Sequence, residues 1–413
     1  MTLVIRNARV VTSAPGVQRG GAMARLVDLP GHDVVVRGGV IAAVRPTGTA
    51  AVGEDSASGA EVIEAAGRVL LAGLVDCHTH ANWAGDRYDE WERTLRGERY
   101  EVILAAGGGI FSTVRAVREA SVGTLRDLLG ERLREMLALG STTIEVKSGY
   151  GLTGAQELKM LRAAHEAAAG FPGTVVHTAL LGHAIDPDRP GSVRETIEET
   201  LPAVHAEFPG VAIDAFVERG AWSVEDARRL FETARSLGHP VRLHADQFTS
   251  MGGVGLALGV GAVSIDHLEA TTAEDLARLG ASSVIGVGLP ACAVHLRSAG
   301  GKAADLRGLI DAGGAAAVAT NRNPGSAPCA SLALAAGLGV RLCGLTPREA
   351  ITACTVNAAA VLGLSDRGAI SPGMRGDLVL LREGDPRSLT HSLGGAPVAM
   401  VVCAGRVVLR TGG

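Results

Sequence analysis

The chain has 413 residues, 47% of them apolar, and a net charge of −4. That length suits one large α/β barrel with a smaller accessory domain rather than a single small core. No apolar run reaches the ~18 residues of a membrane span and no basic stripe marks a nucleic-acid surface, so neither a membrane nor a nucleic acid is an expected partner.

The opening MTLVIRNARVV lacks the basic start, apolar stretch and cleavage site of a secretion signal, which predicts a cytoplasmic protein. It reads instead as a β-strand. DVVVRGGVIAAV follows as two strands joined at Gly38-Gly39, and EVIEAAGRVLLAGLVD comes next. Glycines at the turns and β-branched residues between them give this reading. The C-terminal end repeats the style in GDLVLLREG and APVAMVVCAGRVVL. Two β-rich ends around a mixed middle predict that residues 1–68 and 366–413 form one small β-sandwich domain, leaving 69–365 as a separate barrel.

In that middle, candidate strands end near Asp76, Lys147, Leu181, Val217, His244, Asp266, Val287 and Thr320. Amphipathic helices such as TLRDLLGERLREMLALG and AQELKMLRAAHEAAA lie between them, with apolar positions at three- and four-residue spacing. Eight strands alternating with helices predict an α/β fold, a (β/α)8 TIM barrel. The connection after the first strand, His78 to Gly109, has the length of a lid or binding loop. The six cysteines contain no CxxC pair, so they read as small buried apolar residues rather than disulfides or a zinc knuckle.

Chemistry concentrates at strand ends. Asp76-Cys77-His78-Thr79-His80 closes an apolar strand, and residues two apart on a strand share a face, so His78 and His80 can turn toward one metal ion. His244-Ala245-Asp246-Gln247 and Ile265-Asp266-His267-Leu268-Glu269 close two later strands, at the end of the barrel where such enzymes build their sites. A satisfied core histidine is the competing reading for any one of them. His165, His205 and His239 fall on helices or in loops and are expected to be solvated.

These segments resemble a known family. AGLVDCHTH is similar to the PGFVDxHTH opening of the amidohydrolase superfamily, with Ala72 in place of the proline. Imidazolonepropionases in particular are resembled by AGDR at 84–87, AAGGGIFSTVRA at 105–116, TTIEVKSGYGL at 142–152, ELKMLR at 157–162, LLGHA at 180–184, HADQ at 244–247, DHLE at 266–269 and NPG at 323–325. The likeness runs over almost the whole chain. EVKSGYGL is its most specific part, whereas HxH marks only the superfamily.

The resemblance implies hydrolytic opening of the ring of 4-imidazolone-5-propanoate to N-formimidoyl-L-glutamate, a step of histidine degradation. It implies one divalent transition metal, zinc or iron, on His78, His80 and His244. Glu218 rather than a lysine after the fourth strand speaks against a second, bridged metal. His267 would hydrogen-bond the water on the metal or the substrate oxygen. Arg87, Tyr100, Tyr150, His183, Gln247, Asn323 and Gly325 would surround a small-molecule substrate bearing a carboxylate. Arg87 suits a carboxylate through its planar fork; a surface ion pair with Asp86 or Asp89 is the competing reading. Lys147 reads either as support for the site or as a structural partner of Glu145. Whether the chain forms a homodimer is left open.

One position breaks the pattern. The family reads T-D-x-N-P-G at the last strand, and its aspartate touches the metal and takes a proton from the attacking water. This chain reads Thr320-Asn321-Arg322-Asn323-Pro324-Gly325. A neutral amide cannot accept a proton near pH 7, although Asn321 can still offer an oxygen to a metal. The change is either engineered, natural with another base in use, or a mark of lost hydrolysis. Arg322 and Asn82-Trp83 also depart from the family, which favours a natural divergent relative. The competing functions are a catalytically silent ligand-binding relative and an aminohydrolase (deaminase) on the same barrel.

Overall fold

The computed structural model describes residues 1–49, 59–98, 102, 108–296 and 302–411. Tyr100 lies outside the described residues.

The chain opens with β1 (Thr2–Thr12), β2 (Val27–Arg37), β3 (Val40–Pro46), β4 (Ala60–Glu64) and β5 (Val69–Ala72). Gly38 and Gly39 turn β2 into β3 at φ 58° and 86°, the left-handed pair that a tight hairpin demands and that glycine adopts without a steric penalty. Then come β6 (Leu74–Asp76), β7 (Ser141–Lys147), β8 (Thr174–Gly182), β9 (Ala212–Val217), β10 (Val241–Ala245), β11 (Ser264–His267), β12 (Ile285–Gly288) and β13 (Ala315–Val318). The chain finishes with β14 (Leu378–Leu381), β15 (Val398–Cys403) and β16 (Arg406–Arg410).

Both ends share one mixed sheet in the order β16-β15-β14-β5-β1-β2-β3, with β4 also paired to β1. Their alternate side chains meet in one core that includes Leu3, Ile5, Val34, Val36, Leu378, Leu380 and Val402. Strand β5 differs from the expected partition. Val69–Ala72 pairs with β1 and β14 in the terminal sheet, and the barrel starts only at Leu74. Gly73 makes the break. A Cβ there would stand 2.1 Å from Thr142 Oγ1, so the chain crosses between sheets where no side chain fits.

The second sheet runs β6 through β13 in sequence order, each pair parallel. The ring draws together just past the ends of β6 and β13. Asn321 N–H donates to the His78 carbonyl at 3.0 Å and His80 N–H to the Arg322 carbonyl at 3.0 Å. The Asp76 carboxylate accepts from Thr320 N at 3.1 Å and Thr320 Oγ1 at 2.6 Å. This is the predicted TIM barrel, and the seam sets the first histidine pair beside Asn321. Helices such as Val122–Ala138 and Gly154–Ala169 cover the outside with apolar faces that carry Leu129, Leu133, Met136 and Leu161.

No helix among the described residues is long and apolar enough to cross a membrane. All six cysteines are buried and free. His239 is not solvated as expected. It is buried at a strand entrance, 2.7 Å from the Val211 carbonyl and 3.0 Å from His205 Nδ1, because both ring nitrogens find partners there.

Candidate metal centre and active site

His78 and His80 leave the end of β6 on one face, and His244 sits on β10. The three rings are buried, and His80 Nε2 is 3.3 Å from both His78 Nε2 and His244 Nε2. Burial first, then the charge of Lys147 and the neighbouring rings, pushes the His78 pKa well below its ordinary value. Burial, then His183 and His244, does the same for His80. Burial lowers His244 against the pull of Asp214. All three are therefore neutral, the form that ligates a metal. Nitrogens ~2.0–2.1 Å from a tetrahedral ion stand about 3.3–3.4 Å apart, so the observed spacing fits a transition-metal cation.

Two carboxylates hold the outer ring nitrogens. His78 Nδ1 lies 2.6 Å from Asp266 Oδ2, and His244 Nδ1 lies 3.0 Å from Asp214 Oδ1. Each ring donates outward and keeps its Nε2 lone pair inward, as metal-ligating histidines do. The carboxylates are tied together beneath the site. Lys147 Nζ donates to Glu145 Oε1 and Asp214 Oδ2, both at 2.8 Å. Arg242 reaches Glu145, Asp266 Oδ2 at 2.8 Å and the Cys77 carbonyl at 2.9 Å. Lys147 thus has both expected roles at once. Asp214, Asp266 and Arg242 were missed as a network. The available signal was charge at alternate positions inside apolar strands, Glu145-x-Lys147 and Arg242-x-His244, where a parallel barrel strand is otherwise apolar.

Around the histidines stand other predicted residues. The His183 ring stacks on His80 with centroids 5.0 Å apart, and its Nδ1 donates to the Gly149 carbonyl at 2.9 Å. Burial and the neighbouring His244 take its pKa down to about 3. Tyr150 is 5.1 Å from His183 and 6.1 Å from His80 between centroids. His267 lies 5.8 Å from His244, and its Nδ1 is 3.3 Å from Glu269 Oε1. His267 and Leu268 have φ of 88° and 74°, a left-handed reversal that folds Glu269 back onto the ring. Such φ values are unusual outside glycine and concentrate at functional sites.

Arg87 pairs with Glu90 rather than Asp86 or Asp89. It also covers Gly325, where a Cβ would stand 2.8 Å from Arg87 Nη1. The close approach explains a glycine there and brings two predicted binding residues side by side. Asn323 shapes the same loop, with Oδ1 accepting from Gly325 N at 2.9 Å and Ser326 N at 2.7 Å. Gln247 Nε2 donates to Cys292 Sγ at 3.4 Å.

Asn321 is buried at φ 54°, a conformation asparagine tolerates, and its Oδ1 has no partner among the described residues. Of the other departures, Asn82 donates through Nδ2 to the Met160 carbonyl at 2.8 Å, and Arg322 and Trp83 meet one helix. Arg322 pairs with Glu135 on the helix Val122–Ala138. Arg132 of that helix lies 3.4 Å from the Trp83 ring centroid and donates to the Ala81 and Trp83 carbonyls. Burial, then repulsion from Arg322, takes Arg132 down to about 10. Both unusual side chains are thus anchored on the barrel's outer helix layer.

The amidohydrolase family model matches residues 69–408. Imidazolonepropionase of Deinococcus radiodurans is 46% identical over 98% of each chain. That of Rubrobacter xylanophilus is 43% identical, again over 98% of each. Among solved structures, 5-methylcytosine deaminase from Klebsiella pneumoniae liganded with phosphonocytosine superposes with a TM-score of 0.75 at 18% identity, over 100% of this chain and 98% of the other. An adenosine deaminase from Xanthomonas campestris with bound zinc superposes with a TM-score of 0.68 at 19% identity, covering 99% and 93%.

Proposed function

This chain belongs to the imidazolonepropionase family of the amidohydrolases, and on that premise we propose that it opens the ring of 4-imidazolone-5-propanoate with water, as a cytoplasmic enzyme of histidine degradation. The observation that carries the metal part is the convergence of three neutral Nε2 atoms from His78, His80 and His244. Zinc or iron bound there would supply Lewis acidity, polarising the ring carbonyl and acidifying the attacking water.

The chain's own residues do the rest. Asp266 and Asp214 fix the tautomers of His78 and His244 by accepting from Nδ1. Arg87, beside Gly325, receives the propionate through its fork. Tyr150, His183, Gln247 and Asn323 orient the ring. Water's oxygen ends on the carbonyl carbon as a carboxylate, the ring C–N bond breaks, and the nitrogen takes up a proton. Asn321 cannot receive the proton that the water gives up. His267, with Nδ1 held by Glu269 and its ring beside His244, takes that role.

The test is imidazolone consumption together with metal content, for the unmodified chain and for His78→Ala and His244→Ala. Stoichiometric zinc or iron and ring opening are expected for the first, and strong loss of both for the variants. Full metal occupancy in both variants would contradict the assigned ligands. Asn321 favours one second reading, a relative that binds the ring without turning it over. Metal-dependent turnover by the unmodified chain would exclude it, and release of ammonia without ring opening would point to an aminohydrolase.

A further inference from the structure

Glu157 opens the ELKMLR segment in the first turn of the helix Gly154–Ala169, and it is buried. Its carboxylate meets the loop 148–152, which follows β7. Oε2 accepts from Gly149 N at 2.7 Å, and Oε1 accepts from Gly151 N at 2.8 Å and Leu152 N at 2.7 Å. Three backbone N–H groups of one loop thus end on one side chain. The fit is close. A Cβ on Gly151 would stand 2.6 Å from the Gln156 carbonyl carbon and from the Glu157 nitrogen, and one on Gly149 would stand 3.0 Å from His183 Nδ1. Leu152 takes a φ of 57° there, a left-handed conformation that side chains other than glycine, asparagine and aspartate rarely adopt.

The same loop carries two contacts of the active site. Tyr150 lies at its middle, buried, with its ring 5.1 Å from that of His183. The Gly149 carbonyl accepts from His183 Nδ1 at 2.9 Å, and the His183 ring stacks on His80. A carboxylate suits the anchoring task because both of its oxygens only accept. A glutamine of the same size would turn an NH₂ group either onto Gly149 N or onto the N–H groups of Gly151 and Leu152, donor against donor. The loop's carbonyls have other partners, Arg118 Nε on Gly151 at 3.0 Å and Arg189 Nη1 on Leu152 at 3.2 Å. Such a variant would therefore lose amide anchors while keeping part of the loop's support.

We propose that Glu157 is a positioning residue for substrate binding: by taking the N–H groups of Gly149, Gly151 and Leu152, it fixes the loop that sets the Tyr150 ring and, through the Gly149 carbonyl, the His183 ring. This rests on the reading above that places Tyr150 and His183 around the substrate ring.

The experiment measures two affinities for the unmodified chain and for Glu157→Gln. One is that of the zinc-loaded protein for 3-(imidazol-4-yl)propanoate, a stable ring-and-propionate analogue, by calorimetry. The other is that for zinc itself, by chelator competition. Glu157→Gln is expected to weaken the analogue by about 10-fold, the scale of one lost buried hydrogen bond. Zinc affinity should change by less than about 2-fold, because the three histidines keep their own partners. Equal loss of both affinities would mean that Glu157 supports the barrel at large, and overturns the proposal. Unchanged analogue binding also overturns it. A second measurement needs no variant: in the unmodified zinc-loaded chain the amides of Gly149, Gly151 and Leu152 should exchange slowly with deuterium, as anchored amides do, and rapid exchange at these three overturns the proposal even where Glu157→Gln does not fold. No binding of the analogue by the unmodified chain overturns the substrate reading and this proposal with it, whereas binding that is the same in both proteins overturns this proposal alone.

Discussion

A carboxylate and its amide fill the same space but differ in what they accept, and the proposed role of Asn321 turns on that difference. Asn321→Asp restores a proton acceptor and a negative charge at the barrel seam, beside His78. If that is the only missing part, ring opening at matched metal content should rise by about 10²–10⁴-fold, the usual scale of general-base catalysis. Equal rates in the two proteins would show that His267, or Asp246 in its place, already takes the proton as efficiently as an aspartate does. Trp83 and Arg322 are held against the helix Val122–Ala138, which favours the large gain over a misplaced ring. Arg87 offers a second check. Arg87→Ala should weaken ligands bearing a carboxylate by roughly 1.5–3 kcal/mol more than neutral ring analogues, the worth of a charge-assisted hydrogen bond. Equal weakening of both would make Arg87 a partner of Glu90 and nothing more. The histidine spacing was legible because period-two geometry is local. The closeness of Arg87 to Gly325 was not, because it joins loops that follow different strands.

At the scale of the strand, the site depends on charges buried behind it. Asp214 on β9 joins Lys147 on β7, two strands away, to His244 on the adjacent β10, so one side chain links three strands of the barrel. Asp214→Asn should lower metal affinity by about 10–100-fold and, by leaving Lys147 with Glu145 alone, destabilise the fold by about 3–5 kcal/mol. Chelator competition and urea unfolding would measure the two effects. Unchanged affinity with lowered stability would confine Asp214 to folding. Strand ends were readable to within a residue or two, since Asp76, Lys147 and Val217 close β6, β7 and β9 as expected. The division of VLLAGLVD between two sheets was not. Gly73 hints at a break in that apolar run, but the sheet each half joins is set by distant partners, Leu378–Leu380 for one and Ser141–Ile144 for the other.

For the whole molecule, the two β-rich ends were legible as one domain because neither buries its apolar face alone, and β5 against β14 joins them. What the sequence does not display is how burial sets the acid response. His177 on β8 is mostly buried, its Nδ1 has no partner among the described residues, and burial, then repulsion from His165, lowers its pKa from 6.5 to about 4. The unfolded chain therefore gains a proton at this residue below 6.5 that the folded chain refuses, and stability contributed above 6.5 is lost as pH falls toward about 4. Asp76 acts the other way. Burial raises it from 3.8 to about 7, so the folded chain keeps a proton that the unfolded chain releases, and stability falls as pH rises through that window. The opposed slopes make the raw pH profile a poor test, whereas the difference between two proteins isolates one residue. His177→Gln removes the histidine term and leaves Asp76 unchanged. The Tm of this variant minus that of the unmodified chain should become more positive as pH is lowered from about 7.5 to about 5, because only the unmodified chain has a histidine at this position to protonate on unfolding. A difference that stays flat over that range would show that His177 titrates freely in the folded protein, and that its burial does not contribute to acid sensitivity.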